Sequence, residues 1–286
     1  MRYYISFLLA AAVLFGTKNS FAQKFYERNE YGVMGGASQY FGDLNPEYGF
    51  NSINVAAGAF YRYYFNPYVS LRTGLNYTHL SGKDSYSDNP FQQARNLSFK
   101  NDIIELMAMG EFNFFYFMTG DEQRRFTPYM VLGVGALYTN PYVIHGGRKV
   151  SLKGLGTEGQ NFEAYADRKY NRVNAVIPFG AGIKYWIAPG INLGVEFVHR
   201  FALTDYLDDV STNYVGEQRF LNPNGAPTTS SLLQDPSILA DGGKLGIEGR
   251  QRGDRATIDQ YFIGQVTLSF QLKTYRCPSD HPLWNQ

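Results

Sequence analysis

Eight strand-like stretches run along this chain, six of them alternating apolar and polar residues with a period of two, and no other feature constrains its fold as tightly. A strand turns successive side chains to opposite faces, so this alternation predicts strands with one apolar and one polar face. In 52–65, Ile53, Val55, Ala57, Ala59, Tyr61, Tyr63 and Phe65 alternate with Asn54, Gly58, Arg62 and Tyr64. After Asn66-Pro67, Val69, Leu71, Thr73, Leu75 and Tyr77 alternate with Ser70, Arg72, Gly74, Asn76 and Thr78. In 99–117 the even residues Ile104, Leu106, Ala108, Gly110, Phe112, Phe114 and Tyr116 are apolar, and the odd ones include Asn101, Glu105, Glu111 and Asn113. Stretches 175–187, 191–200 and 258–272 repeat the pattern, with Lys184, Glu196 and Arg200 on their polar sides. Two stretches leave their facing open: 30–41 is Gly-rich, and 127–139 is apolar on both sides.

The connections carry separate information. Asn66-Pro67, 119–126 and Ala188-Pro189-Gly190 are short, whereas 42–51, 80–98, 140–172 and 204–255 are mostly long. Short connections alternating with long ones are the pattern of an outer-membrane barrel, with turns on the periplasmic side and loops outside. The expected fold is therefore all-β, an eight-stranded antiparallel up-and-down transmembrane β-barrel over 23–274. Long loops are expected at about 80–98, 140–172 and 204–255, and a periplasmic tail at 275–286. A soluble barrel is the alternative, with its apolar set inside. Against it, the apolar sets hold no Lys, Arg, Asp or Glu and are rich in Phe and Tyr near strand ends, and such an outer face needs a lipid surround.

The N-terminus agrees. Arg2, the apolar run 5–15 and Ser20-Phe21-Ala22 form the three parts of a secretory signal, so 1–22 is expected to be cleaved after Ala22. Gln23 rather than Cys follows, so no lipid anchor is expected there. The expected location is the outer membrane of a Gram-negative bacterium, with both termini in the periplasm and membrane lipids around the wall. Tyr and Phe together number 45, which suits aromatic girdles. The single cysteine, Cys277, cannot form an internal disulfide and is either a free thiol or paired with another chain. A net charge of +1 gives no sign of nucleic acid as a partner.

The inward set carries Arg62, Arg72, Lys184 and Arg200 with Glu105, Glu111 and Glu196. An eight-stranded barrel is just wide enough for side chains to fill it, and buried charges need partners. Paired, these residues make a plug; unpaired, they line a narrow polar pore.

Chemistry beyond this is sparse. His79 and His199 fall near the outer strand ends, and Asp205 is near His199 in sequence, but nothing fixes a base and an orienter. Asp205, Asp208 and Asp209 cluster without EF-hand spacing. Gly133-Val134-Gly135 and Gly180-Ala181-Gly182 lack the Lys-Ser/Thr of a phosphate loop. No catalytic, cofactor-binding or metal-binding residue is expected.

Three stretches carry a family resemblance: Ala37-Ser38-Gln39-Tyr40-Phe41-Gly42-Asp43-Leu44-Asn45-Pro46, Pro178-Phe179-Gly180-Ala181-Gly182-Ile183-Lys184-Tyr185, and 200–211, which includes Thr204-Asp205-Tyr206-Leu207-Asp208-Asp209. Together they resemble the small outer-membrane barrels of Bacteroidetes, most closely the PorG-like component of the type IX secretion system. Tyr40, Gly42, Asp43, Asp205, Tyr206, Asp208 and Asp209 carry the more specific part of the match. The resemblance implies a non-enzymatic barrel that tethers or organises a periplasmic ring of a lipoprotein and its partner. The contact surface would then be the turn at 120–125, with Arg124 and Arg125, and the tail from 273 with Cys277. The loop 204–255 is large for a tether, which leaves open a paralogue with a different partner, or a general OmpA-like envelope or surface barrel. Oligomeric state is not legible in the sequence.

Overall fold

The computed structural model describes residues 28–119, 123–237, 239 and 242–271. The expected signal peptide at 1–22, the tail at 275–286 and Cys277 lie outside them. Eight long strands carry the architecture: β1 Asn29–Phe41, β2 Asn54–Tyr64, β3 Val69–Lys83, β4 Ser98–Asn113, β5 Phe126–Tyr138, β8 Val173–Ala188, β9 Ile191–Ala202 and β10 Gln260–Phe270. A hairpin, β6 Tyr142–His145 and β7 Arg148–Ser151, stands between β5 and β8.

Each long strand pairs antiparallel with the next, and β1 pairs with β10 from Tyr31↔Phe270 to Phe41↔Gln260. The sheet therefore closes into an eight-stranded barrel, which removes the unpaired edges of an open sheet. Among the described residues, no helix is long and apolar enough to cross a membrane. At one end lie the short connections, the start of β1 and the end of β10. There the Asn66 side chain accepts from the Tyr68 and Val69 N–H groups at 2.8 and 2.9 Å, closing the β2–β3 turn. Gly190, with φ +75°, takes the left-handed position of the β8–β9 turn. At the other end β3 and β4 stay paired out to Lys83↔Ser98.

Facing follows the alternation on β2, β3, β4, β8, β9 and β10. It also settles the two open stretches. β1 turns Glu30, Met34, Ser38 and Tyr40 inward and Tyr31 and Val33 outward; β5 turns Thr127, Tyr129, Val131 and Leu137 inward and Met130, Leu132 and Val134 outward.

The interior has two halves. Toward the turn end it is polar and charged. Toward the loop end it is an apolar core of Leu80, Phe99, Ile103, Leu137, Val176 and Ile263, continued by Leu44, Leu97, Leu152, Leu207 and Val210 from the loops. The long loops fold over the mouth, so the side chains beneath them can be apolar.

Candidate functional site

In the charged half of the lumen, Glu111 on β4 is the hub. Its carboxylate lies 2.8 Å from Arg62, 3.0 Å from Arg72 and 2.5 Å from Lys184, and Ser70 donates to it at 3.2 Å. Arg72 continues to Glu196 at 2.8 Å, where Tyr129 and Gln265 also donate, at 2.7 and 2.8 Å. Arg62 continues to Glu30, which also accepts from Tyr64 at 2.9 Å and Asn192 at 3.1 Å. A separate pair sits nearer the loops: Arg200 meets Glu105 at 3.1 Å, and Tyr261 donates to the same carboxylate.

All seven lumen charges expected from the sequence are thus buried and paired, in two groups. The sequence reading missed Glu30, which is fully buried. With it, the strands bury four carboxylates, Glu30, Glu105, Glu111 and Glu196, against four cations, Arg62, Arg72, Lys184 and Arg200. The deficit of one acid in the expected set was the signal that could have found it. Each ion has an opposite charge beside it, and each of the four carboxylates accepts further hydrogen bonds from neutral side chains, the condition under which burial is tolerated.

The motif residues assemble at the loop end, where the four long loops join into a cap. Tyr40, at the end of β1, places its hydroxyl oxygen 2.7 Å from Asp208 and 2.8 Å from Asp259. Gly42 passes so close that a Cβ there would lie 2.1 Å from both Asp259 Oδ1 and Tyr40 Oη. Asp43 accepts from the Asp254 N–H at 2.9 Å. Asp209, at φ +67°, accepts from Tyr170 at 2.6 Å and from Thr157. Tyr206 stacks on Tyr170 with ring centroids 4.3 Å apart. Burial pushes the Asp209 and Asp43 carboxyls up to about 6, Asp259 to about 8 and Asp205 to about 9.

Two buried arginines tie the loops together. Arg95 holds Asp84 at 2.6 and 2.7 Å and donates to the carbonyls of Asp43 and Arg252. Arg252 meets Glu158 at 3.0 Å and donates to the Asp209 carbonyl at 2.6 Å. Glu158 in turn accepts from the Ser211 N–H at 2.9 Å and the Thr212 hydroxyl at 2.7 Å. Neither arginine, nor Glu158, nor Asp259 stood out in the sequence, because charges in loops carry no periodic signal.

Both strand histidines face the outside of the wall. His79 sits 2.7 Å from Asp102, which Lys149 of the β6–β7 hairpin also reaches at 2.8 Å; His199 sits 2.7 Å from Gln260. Arg124 and Arg125 lie at the turn end, away from the motif residues, over the rings of Tyr116 at 4.2 Å and Trp186 at 4.7 Å. Among the described residues, no cluster of His, Cys, Asp and Glu is arranged to hold a metal ion.

The family model described as "Domain of unknown function (DUF6089)" matches residues 7–224. No curated protein matches the chain in sequence. Among solved structures, it is similar to Neisserial surface protein A at 10% identity, with 85% of this chain and 97% of that one covered and a TM-score of 0.41. It is also similar to the outer membrane protein OprG from Pseudomonas aeruginosa, at 9% identity, 88% and 100% coverage and a TM-score of 0.38. The N-terminal β-barrel domain of OprF from the same organism gives 9%, 86% and 98%, and 0.36.

Proposed function

The chain belongs to the DUF6089 family, and we propose that it is a non-conducting, non-enzymatic barrel of a Gram-negative outer membrane, serving as a structural tether in type IX protein secretion. The observation that carries the membrane reading is the outward belt. Val33, Leu75, Leu106, Leu132, Val134 and Phe197 stand between 53% and 66% exposed on one continuous wall. An apolar surface of that kind marks a lipid-facing or partner-facing region. Aromatic residues edge it: Tyr31, Tyr61, Tyr63, Phe65, Phe112, Phe126 and Tyr185 at the turn end, Tyr77 and Tyr138 toward the loops. The turn end then faces the periplasm and the capped end the outside.

The filled lumen supports a barrel that holds position rather than one that conducts. The non-enzymatic part of the reading rests on the same resemblance as the tether. The tethering role rests on the resemblance of the motif stretches to PorG-like barrels. The turn-end arginines offer cationic groups to a periplasmic ring complex. Deletion should abolish export of type IX cargo, and affinity purification from native membranes should recover ring proteins with the wild type and lose them with Arg124→Glu/Arg125→Glu. Normal secretion in the deletion strain would remove the tether reading. The ordered cap favours a second reading, a general envelope barrel with a surface partner at its loop end; that reading predicts normal secretion with altered envelope integrity or adhesion.

A further inference from the structure

We infer that the loop cap is held down by a shared proton: Tyr40 bridges Asp208 and Asp259, and one of these two carboxyl groups stays protonated while the cap is closed.

The reason is a count of protons at one oxygen. Tyr40 Oη lies within hydrogen-bond distance of Asp208 Oδ2 and Asp259 Oδ1, at 2.7 and 2.8 Å, and all three residues are at most 1% exposed. A phenol has one proton and donates to one acceptor. Toward the second carboxylate it would present only a lone pair, and an ionised carboxylate also presents only lone pairs. A proton on the second carboxyl converts that repulsive contact into a hydrogen bond donated back to Tyr40.

The other hydrogen bonds of the two acids do not change this count. The second oxygen of Asp259 accepts from the Leu207 N–H at 2.8 Å, and Asp208 Oδ1 accepts from the Val210 N–H at 2.9 Å. The neighbouring charges are mostly of the same sign. Asp43 approaches from the β1–β2 loop, Asp205 lies upstream in the β9–β10 loop, and Glu158 comes from the loop after β7. The nearest cations are engaged elsewhere, Arg95 on Asp84 and Arg252 on Glu158. Among the described residues, no cation lies within ion-pair distance of Asp208 or Asp259. Burial pushes Asp259 up to about 8 and also raises Asp208, in keeping with one retained proton.

The pair sits where it controls the cap. Asp208 and Asp259 lie toward the two ends of the long β9–β10 connection, and Tyr40 pins both to β1. In an open cap both carboxyls meet water and titrate near the usual value of about 4. This pair alone therefore gives the closed form one more proton between about pH 4 and about pH 8 and adds about one tenfold step in opening per pH unit across that window, while Asp205, held up to about 9, carries part of the slope further.

The test is hydrogen–deuterium exchange by mass spectrometry on the full chain in phospholipid nanodiscs, from pH 5.5 to 9, with intrinsic exchange rates divided out. Peptides from 203–259 should lose protection steadily as pH rises toward 8. Asp259→Asn and Asp208→Asn each supply a permanent N–H donor to Tyr40. Each should reduce the slope by about one tenfold step per pH unit and leave the cap better protected than wild type at pH 8.5. Unchanged slopes overturn the proposal, as does lower protection in the Asn variants at pH 8.5. Heat-modifiable migration on gels shows which variants have folded, and either one suffices. Flat wild-type protection from pH 5.5 to 8 overturns the proposal without any variant.

Discussion

Arg72 on β3 and Glu196 on β9 meet at 2.8 Å from strands that stand opposite each other in the ring. Tyr261 on β10 and Glu105 on β4 are another opposed pair in contact, nearer the loops. Contacts of this kind require side chains to fill the lumen from wall to wall, as the dimensions of an eight-stranded barrel allow.

Glu111 holds Arg62, Arg72 and Lys184 at once. Glu111→Ala leaves three cations short of a partner in a dry interior and should cost about 3–5 kcal/mol. Ser70→Ala removes one hydrogen bond to the same carboxylate and should cost about 1 kcal/mol. Urea unfolding in detergent micelles, followed by circular dichroism, measures both. Equal midpoints for the two variants would mean that Glu111 is not the hub.

The pore reading makes the opposite forecast for the same plug. Wild-type barrel in planar bilayers should show no channel events, and Glu196→Ala should lower the unfolding midpoint before it opens any conductance. Steady single-channel currents from the wild type would refute a filled lumen.

Arg252→Ala strips Glu158 of its cation and two backbone carbonyls of their donor. The cap should loosen by about 3–5 kcal/mol while the wall persists. Limited trypsin digestion should then cut at Arg250 or Arg255 at least tenfold faster, with the heat-modifiable band retained.

Asp205 is held protonated up to about 9, mainly by burial. Its raised value means that native stability falls with pH from the unfolded value of about 3.9 up to about 9. Asp205→Asn should match wild type near pH 4 and be the more stable protein at pH 8. Urea midpoints at the two pH values give the comparison; a variant weaker at pH 8 would contradict the sign.

Glycines on the wall differ in what they tolerate. A Cβ at Gly133 would lie 2.3 Å from the Ala108 carbonyl oxygen, whereas one at Gly35 meets nothing within 4 Å. Gly133→Ala should destabilise by about 1–3 kcal/mol, and Gly35→Ala should be neutral or stabilising by up to about 1 kcal/mol. Thermal unfolding of the two variants side by side checks this.

The wall was largely readable in advance, and for a physical reason. β2, β3 and β4 meet apolar surroundings on one face and charged partners on the other, so their two residue sets differ in chemistry. β1 did not read clearly because Gly35 and Ala37 blur its outer face and Gly32 and Gly36 its inner one, and Glu30 was hidden with it. β5 was unreadable because Val131 and Leu137 line an apolar part of the lumen, so both faces ask for the same residues. The cap could be seen only as separate motifs. Tyr40 and Asp208 lie 168 positions apart, and no period links them. Arg252 and Glu158 looked like ordinary solvated loop charges, because only the folded loops bury them.

The opposed ion pairs also bear on how such a barrel is made. Arg72 and Glu105 emerge on β3 and β4, but Glu196 and Arg200 arrive only with β9. A sheet assembled only as far as β5 would present part of its inner face to lipid with charges still waiting for their counterparts. Insertion one strand at a time is therefore opposed by the same residues that hold the finished barrel together. Biogenesis is expected to proceed by one concerted closure, with the half-built sheet sheltered from the bilayer until β10 zips onto β1.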